Sequence, residues 1–396
     1  MADTSTVPQD SLLITVSGRD RAGLTARIFQ QLRGEVLDVE QTVVSGRLVQ
    51  LVLLVPDQPD EIRQHLAQLA DELALDVEIT TARDLPNGRQ LGRQQVVVLA
   101  APLPPGAIAA IAEAIRDSGG NIERISRIAA YPVTALEITV VDADPEQLRR
   151  TTAAAASANN VDVSSQPLSI NRFGRRLIVL DVDSTLIQDE VIELLAAHSG
   201  TLAQVAEITE RAMRGELDFA ESLAERAALL AGSPATILDE VREQIRLTPG
   251  ARTLCRTLTG LGHQVALVSG GFTAVIQPLA DELGVHHVRA NTLEVADGVL
   301  TGRVLDPIVD RAGKAAALRE FAAEAHIPLS RTVAIGDGAN DLDMLAAAGL
   351  GVAFNAKPVL REAADTAINV PFLDSVLFLM GLSREEIEAA HSGAES

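Results

Sequence analysis
Hydrophobic positions change period along this chain, and the changes mark out its elements. Ser11-Leu-Leu-Ile-Thr-Val-Ser17 reads as a strand, and apolar residues from Leu24 to Leu32 recur at helical spacing. Two β-rich runs, about 36–44 and 48–55, flank Ser45-Gly46-Arg47, a hairpin signal. Pro59 opens a second helix, and a last strand falls near 76–80. The order strand, helix, strand, strand, helix, strand is the ferredoxin-like βαββαβ arrangement. It then recurs, with strands at 94–100, 121–129, 135–142 and 161–164 and helices at 106–117 and 145–157. The polar, Pro- and Gly-containing stretch Asp84 to Gln95 reads as the linker. A third pattern begins near Arg175. Strands at 177–181, 264–268 and 332–336, each built on an apolar run, alternate with Ala-rich helical segments, which predicts a doubly wound parallel sheet. Between the first two runs, about Gln188 to Leu247 is mostly helical and too long for a simple crossover. It reads as an inserted cap over the strand ends. The expected domains are therefore 10–85, 92–170 and 175–396, with the cap at about 188–247.

Composition narrows the function classes. The 396 residues carry 47% hydrophobic and 22% charged residues and a formal net charge of −21. This is a soluble globular composition, and its charge argues against nucleic acid or an anionic membrane as partner. No apolar run is long enough to span a bilayer, and the first residues lack the basic and apolar regions of a secretory signal. The single cysteine, Cys255, fits a reducing cytoplasm. Of 33 basic residues only Lys314 and Lys357 are lysines. A compact ammonium fits a tight pocket where a guanidinium does not.

The third domain concentrates the chemistry at strand ends. Ile178-Val-Leu-Asp181-Val-Asp183-Ser-Thr delivers two carboxylates where open α/β sheets place their ligands. Taken alone, such a pair also closes strands at solvated turns. Ser269-Gly270-Gly271 follows the second strand as an anion cradle, and Lys314 stands at a helix start, able to neutralise the same group. The third strand ends in Gly336-Asp337-Gly338-Ala-Asn340-Asp341. Here Asp337 is a candidate ligand for a hard cation, with Asn340 and Asp341 in its first or second shell. Opposite charges at successive strand ends suit phosphoryl transfer, one carboxylate attacking and the other moving a proton.

On these motifs, residues 177–375 resemble the haloacid dehalogenase superfamily. The cap residues Glu190, Met213 to Leu217, Phe219, Ser222-Leu223 and Arg226, with Pro249-Gly250 and Asn355-Ala-Lys357-Pro358, are similar to its phosphoserine phosphatase branch. The resemblance implies Mg²⁺-dependent hydrolysis of O-phospho-L-serine to L-serine and phosphate, the last step of serine synthesis. Asp181 would form an aspartyl phosphate, and Asp183 would serve as acid and then base. Mg²⁺ would be held by Asp181, the backbone carbonyl of Asp183 and Asp337. Ser269, Gly270, Lys314 and Asn340 would bind phosphate. Glu190 would meet the substrate amine and Arg226 its carboxylate, while Met213, Phe219 and Gly271 would close the pocket.

The two N-terminal repeats resemble ACT domains, which implies amino-acid sensing, L-serine being a candidate effector, and pairing into a homodimer. Gly18-Arg-Asp20-Arg-Ala-Gly23 is similar to the ligand loop of that family, so Gly18, Asp20 and Gly23 are candidate effector contacts. The second copy departs from it, with Ala101-Pro-Leu-Pro-Pro-Gly106. Two other readings are open: a phosphatase for another small phosphate ester or a phosphoprotein, and an amino-acid sensor with a vestigial phosphatase fold.

Overall fold
The computed structural model describes residues 8, 10–81, 92–168 and 174–392, except for the side chains of Met213 and Ser392. Most of the expected linker and the outer ends of the expected domains fall outside these residues. The chain divides into two compact units, Met1–Arg89 and Gln90–Ser396.

The first unit contains β1 (Leu12–Arg19), α1 (Leu24–Gln30), β2 (Gly34–Val44), β3 (Arg47–Pro56), α2 (Pro59–Leu73) and β4 (Asp76–Thr81). Its antiparallel sheet has the order β2-β3-β1-β4. Along β1 the buried positions alternate, so Leu12, Ile14 and Val16 pack with Ile28, Ile62 and Leu66 under the helices. Period-two burial is what one covered face requires. Gly18 lies within β1 opposite Leu48, and a Cβ there would come 2.4 Å from Leu75 Cδ2. The expected loop therefore starts later, near Asp20. Gly23, at φ 83°, takes the left-handed conformation that starts α1.

The second unit opens with β5 (Gln94–Ala100), α3 (Pro105–Asp117), β6 (Asn121–Ala129), β7 (Thr134–Val141), α4 (Pro145–Asn159) and β8 (Asp162–Pro167), in sheet order β6-β7-β5-β8. Unlike β1, β5 is buried along its whole length. Val96 and Val98 pack with Ile111 and Leu148 of the module itself. Val97 and Leu99 belong instead to the core that includes Ile178, Leu180 and Phe378. The uninterrupted run Val96-Val-Val-Leu99 carries this two-sided burial in the sequence. The second module is thus built into the third domain.

The third domain continues with β9 (Leu177–Leu180), the cap helices α5 (Val191–Ser199), α6 (Leu202–Met213), α7 (Phe219–Ala228) and α8 (Ile237–Gln244), then α9 (Ala251–Gly260), β10 (Gln264–Phe272) and α10 (Thr273–Leu283). It is completed by β11 (His287–Ala296), β12 (Val299–Leu305), α11 (Arg311–Glu324), β13 (Thr332–Gly336), α12 (Leu342–Ala347), β14 (Leu350–Phe354), α13 (Pro358–Ala363), β15 (Thr366–Ile368), α14 (Ser375–Leu379) and α15 (Arg384–Ser392). The sheet order is β12-β11-β10-β9-β13-β14-β15. It is mixed rather than wholly parallel, because β12 folds back antiparallel on β11. Asp297 and Gly298, both at positive φ, make the tight turn. β9 lies between β10 and β13, with Leu180 level with Leu267 and Ile335. Three strand ends therefore open at one level. The two chains leading into and out of the cap are tied by an Ile187–Leu247 bridge and by Arg246, which donates to Asp189.

Candidate active site
Asp181 leaves β9 directly into a wide turn, Val182–Leu186, in which Ser184 stands at φ 55°. The Asp181 backbone N–H donates to Ile335 O on β13, and its Oδ1 accepts from Val182 N. Lys314, on the first turn of α11 and 1% exposed, reaches across with Nζ 2.7 Å from Asp181 Oδ1 and 2.7 Å from Asp341 Oδ1. Asp341 is fully buried, and its second oxygen accepts from the backbone N–H groups of Asp337 and Gly338. This closes the Gly-rich turn: a Cβ on Gly336 would lie 2.4 Å from Asp341 Cγ.

Asp183 points the other way. Its Oδ1 accepts from Val191 N, and its Oδ2 accepts from Ser269 Oγ at 2.9 Å. Ser269 Oγ also accepts from Gly271 N at 2.7 Å. The strand runs on through this cradle to Phe272 rather than ending at Ser269. A Cβ on Gly271 would stand 3.0 Å from Asp183 Oδ2, so a larger residue would crowd the carboxylate. The Gly270 carbonyl accepts from Asn291 Nδ2, and Asn291 Oδ1 accepts from Val309 N. Asn291, fully buried on β11, fixes the cradle's rear, and no local motif marks it.

The cap adds the remaining groups. Glu190 precedes α5 and accepts from Ser184 Oγ at 2.8 Å. Phe219 is the first residue of α7, which is held by a reciprocal Asp218–Glu221 capping box. Its ring tip lies 2.9 Å from where a Gly270 Cβ would be, so it closes over the cradle. Arg226 is half-buried, donates to Ser222 O, and feels the charges of Glu190 and Asp183. Asn340 lies beside the Gly338 turn. Met213 ends α6, and its side chain lies outside the described residues. Gly18, Asp20 and Gly23 belong to the first unit.

The electrostatics follow from crowding. Burial, then the charge of Asp341, pushes the Asp181 carboxyl well above the usual carboxylate range, while the Lys314 ammonium opposes them. Burial also raises Asp183, against the hydrogen bonds from Val191 and Ser269. Asp337 is pushed up to about 6 by burial and by Asp341, and Glu190 to about 7 by burial and by Asp183. Burial alone would lower Lys314, but the adjacent Asp181 and Asp341 charges raise it instead. The cluster is short of positive charge. Oxygens of Asp181, Asp337 and Asp341 lie within 4.8 Å of one another, a donor set suited to a hard metal ion. Asp341 is the member that sequence spacing alone left between first and second shell.

A capped, doubly wound sheet with paired carboxylates, a hydroxyl-glycine cradle and a buried lysine at its strand ends defines a phosphoryl-transfer hydrolase. The haloacid dehalogenase-like hydrolase family matches residues 178–346, and ACT domains match 10–80 and 93–166. A phosphoserine phosphatase of Streptomyces coelicolor is 55% identical over 401 residues, covering 100% of this chain and 97% of that protein. One of Mycobacterium tuberculosis is 51% identical, covering 97% and 96%. The crystal structure of a probable phosphoserine phosphatase from Vibrio cholerae, unliganded form, aligns with a TM-score of 0.59 at 34% identity, covering 76% of this chain and 88% of that one. The chain belongs to the phosphoserine phosphatase family of haloacid dehalogenase-like hydrolases, carrying two ACT domains ahead of its catalytic domain.

Proposed function
We propose that this protein hydrolyses O-phospho-L-serine to L-serine and phosphate, as the final step of serine synthesis in the cytoplasm. The observation that carries the reading is Asp181, held at a strand end by Lys314 beside a second carboxyl, Asp183, that burial raises above its ordinary range. In the first step an Asp181 oxygen forms a bond to phosphorus, the bond from phosphorus to the serine oxygen breaks, and Asp183 gives that oxygen its proton. In the second step water attacks phosphorus, Asp183 takes a proton from the water, and the aspartyl–phosphate bond breaks. Lys314, Ser269, the Gly270 backbone and Asn340 bind the phosphoryl oxygens, where charge develops. Glu190 takes the ammonium of the substrate, and Arg226 its carboxylate through paired hydrogen bonds. Phe219, Met213 and Gly271 shut out bulk water. Mg²⁺ fits the oxygen donors of Asp181 and Asp337, with Asp341 behind them and the Asp183 carbonyl as a further donor. It would supply the positive charge that the cluster lacks.

Residues 10–85 and 92–170 act in this reading as regulatory modules for the domain at 175–396. L-Serine binds near Gly18, Asp20 and Gly23, and the modules support a homodimer. The exposed apolar residues Val36, Val39 and Val43 on edge strand β2 favour such pairing.

A phosphate-release assay on phosphoserine, phosphothreonine, an aryl phosphate and a phosphopeptide, with Mg²⁺ and after chelation, tests the reading. Phosphoserine should turn over best and only with the cation. Asp181→Asn should abolish turnover, since an amide cannot form the acyl phosphate. Arg226→Ala should depress phosphoserine use by about tenfold or more relative to the aryl phosphate. Equal losses on both substrates, or full activity after chelation, would refute the assignment.

A further inference from the structure
Strand β10 does not keep step with β11 where the cradle lies. Val268 is level with Arg289 and Phe272 with Asn291, so four residues of β10 advance against two of β11. A bulge of this kind takes main-chain groups off the ladder and re-aims what they carry. The Gly270 carbonyl finds its donor in Asn291 Nδ2 at 2.8 Å instead. The same peptide carries the Gly271 N–H, which donates to Ser269 Oγ at 2.7 Å, and Ser269 Oγ donates to Asp183 Oδ2 at 2.9 Å. A peptide is planar, so fixing its carbonyl fixes its N–H. On the other side, Asn291 Oδ1 accepts from Val309 N at 2.8 Å. Val309 leads into α11: Asp310 caps that helix by accepting from Gly313 N, and Lys314 N donates to the Asp310 carbonyl at 2.9 Å. One fully buried amide thus joins two separate segments that hold the phosphoryl group. Its orientation is fixed, because a carbonyl only accepts and a backbone N–H only donates.

We infer that Asn291 is a positioning residue for phosphoryl transfer: it holds the Ser269–Gly271 cradle and the Lys314-bearing start of α11 at one separation, and through Ser269 it aims the Asp183 carboxyl. This role rests on the phosphatase reading and belongs to a residue that touches neither substrate nor metal in it. Cradle and lysine come from different elements, β10 and α11, and the chain between them runs through α10, β11 and β12. Charge develops on the phosphoryl oxygens in the transition state, where small displacements of the donors cost most. Loss of the bridge therefore falls on kcat more than on KM, and equally on phosphoserine and an aryl phosphate, unlike the loss expected at Arg226. Leucine fills the same space but leaves Gly270 O and Val309 N without partners. An ionised aspartate sets a second acceptor against the Gly270 carbonyl. A protonated one presents O–H to Gly270 and C=O to Val309, as the amide does. Burial favours that neutral form.

Steady-state kinetics of full-length Asn291→Leu and Asn291→Asp on both substrates, between about pH 5.5 and 9, test this. Asn291→Leu should lose about 10- to 100-fold in kcat on either substrate at every pH, with KM little changed. Asn291→Asp should stand close to the wild type at the acidic end and fall toward the leucine variant as pH rises and the introduced carboxyl ionises. Titratable groups flank the position at Arg289 on β11, at Asp310 in the Val309 segment and at Asp183 through Ser269. They are common to all three enzymes, so the ratio to the wild type at each pH cancels them. A residue that only supported the fold would give no such acid rescue. Should Asn291→Leu fail to fold, the pH dependence of the Asn291→Asp ratio decides alone. Wild-type kcat in Asn291→Leu, losses confined to KM, or an Asn291→Asp ratio that stays low and flat would overturn the assignment. A wild-type enzyme that ignores phosphoserine but cleaves the aryl phosphate would sink the substrate reading separately, because the aryl ratios still report on Asn291.

Discussion
At the scale of single residues, the site is governed by how many carboxylates share a small volume. Asp181, Asp183, Asp337, Asp341 and Glu190 face one fully buried cation, Lys314, with half-buried Arg226 at the rim. The motifs Asp181-Val-Asp183 and Gly336-Asp337-Gly338 were legible because strand ends impose short, regular spacing on the groups they present. Glu190 and Arg226 emerged only through family resemblance. Asn291 has no such frame and was missed. A pH dependence follows from Glu190, whose carboxyl is pushed up to about 7 by burial and by the Asp183 charge. Below that pH the carboxyl is neutral and no longer attracts an ammonium. For phosphoserine, kcat/KM should therefore fall as pH drops through this region, mainly through a rising KM. A bound cation moves the midpoint down without changing the sign. Glu190→Gln should flatten this limb and raise KM at higher pH, whereas an aryl phosphate should not report it. Identical KM profiles for wild type and variant would remove Glu190 from amine recognition.

At the scale of elements, α7 meets the end of β10. The Asp218–Glu221 box fixes where α7 begins, and Phe219 at its first position then covers Gly270. A Cβ at position 270 would stand 2.9 Å from the Phe219 ring tip, the movable end of a side chain in the cap. Gly270→Ala should therefore disturb closure more than folding. Steady-state kinetics should show kcat/KM lowered by about tenfold or more, and thermal unfolding should shift little, consistent with ~1 kcal/mol of overpacking. Adding Phe219→Leu should recover part of the loss by freeing space. A Gly270→Ala enzyme with unchanged kinetics would show that the ring does not gate the cradle. The central strands and the cap were readable from apolar runs and from an over-long crossover. The β11–β12 hairpin was not anticipated, although Asp297-Gly298 marks its turn, because a doubly wound pattern biases the reading toward helical connections.

At the scale of the whole molecule, the two ACT domains are not equivalent. The first forms its own compact unit, while the second shares a core with the catalytic domain through Val97, Leu99 and Ala135 and is tied to it by Asp162 and Asn369. A chain shortened to begin at Gln90 should fold and keep its basal turnover. One beginning at Arg175 should lose several kcal/mol of stability, since it bares apolar side chains that were fully buried, each worth about 1.5–3 kcal/mol. Thermal unfolding of the two shortened chains beside the full protein checks this. Equal midpoints for both would mean that the second module contributes nothing to the core. The sequence alone determined the repeated βαββαβ order, the parallel strands and the motifs at their ends, because each is set by local periodicity and near-neighbour spacing. Tertiary structure alone decided that Asp341 joins Asp181 around Lys314, that Asn291 anchors Gly270, and that one ACT domain fuses with the catalytic core. Those outcomes depend on side chains from distant segments meeting in three dimensions, and no period or spacing along the chain encodes which of them meet.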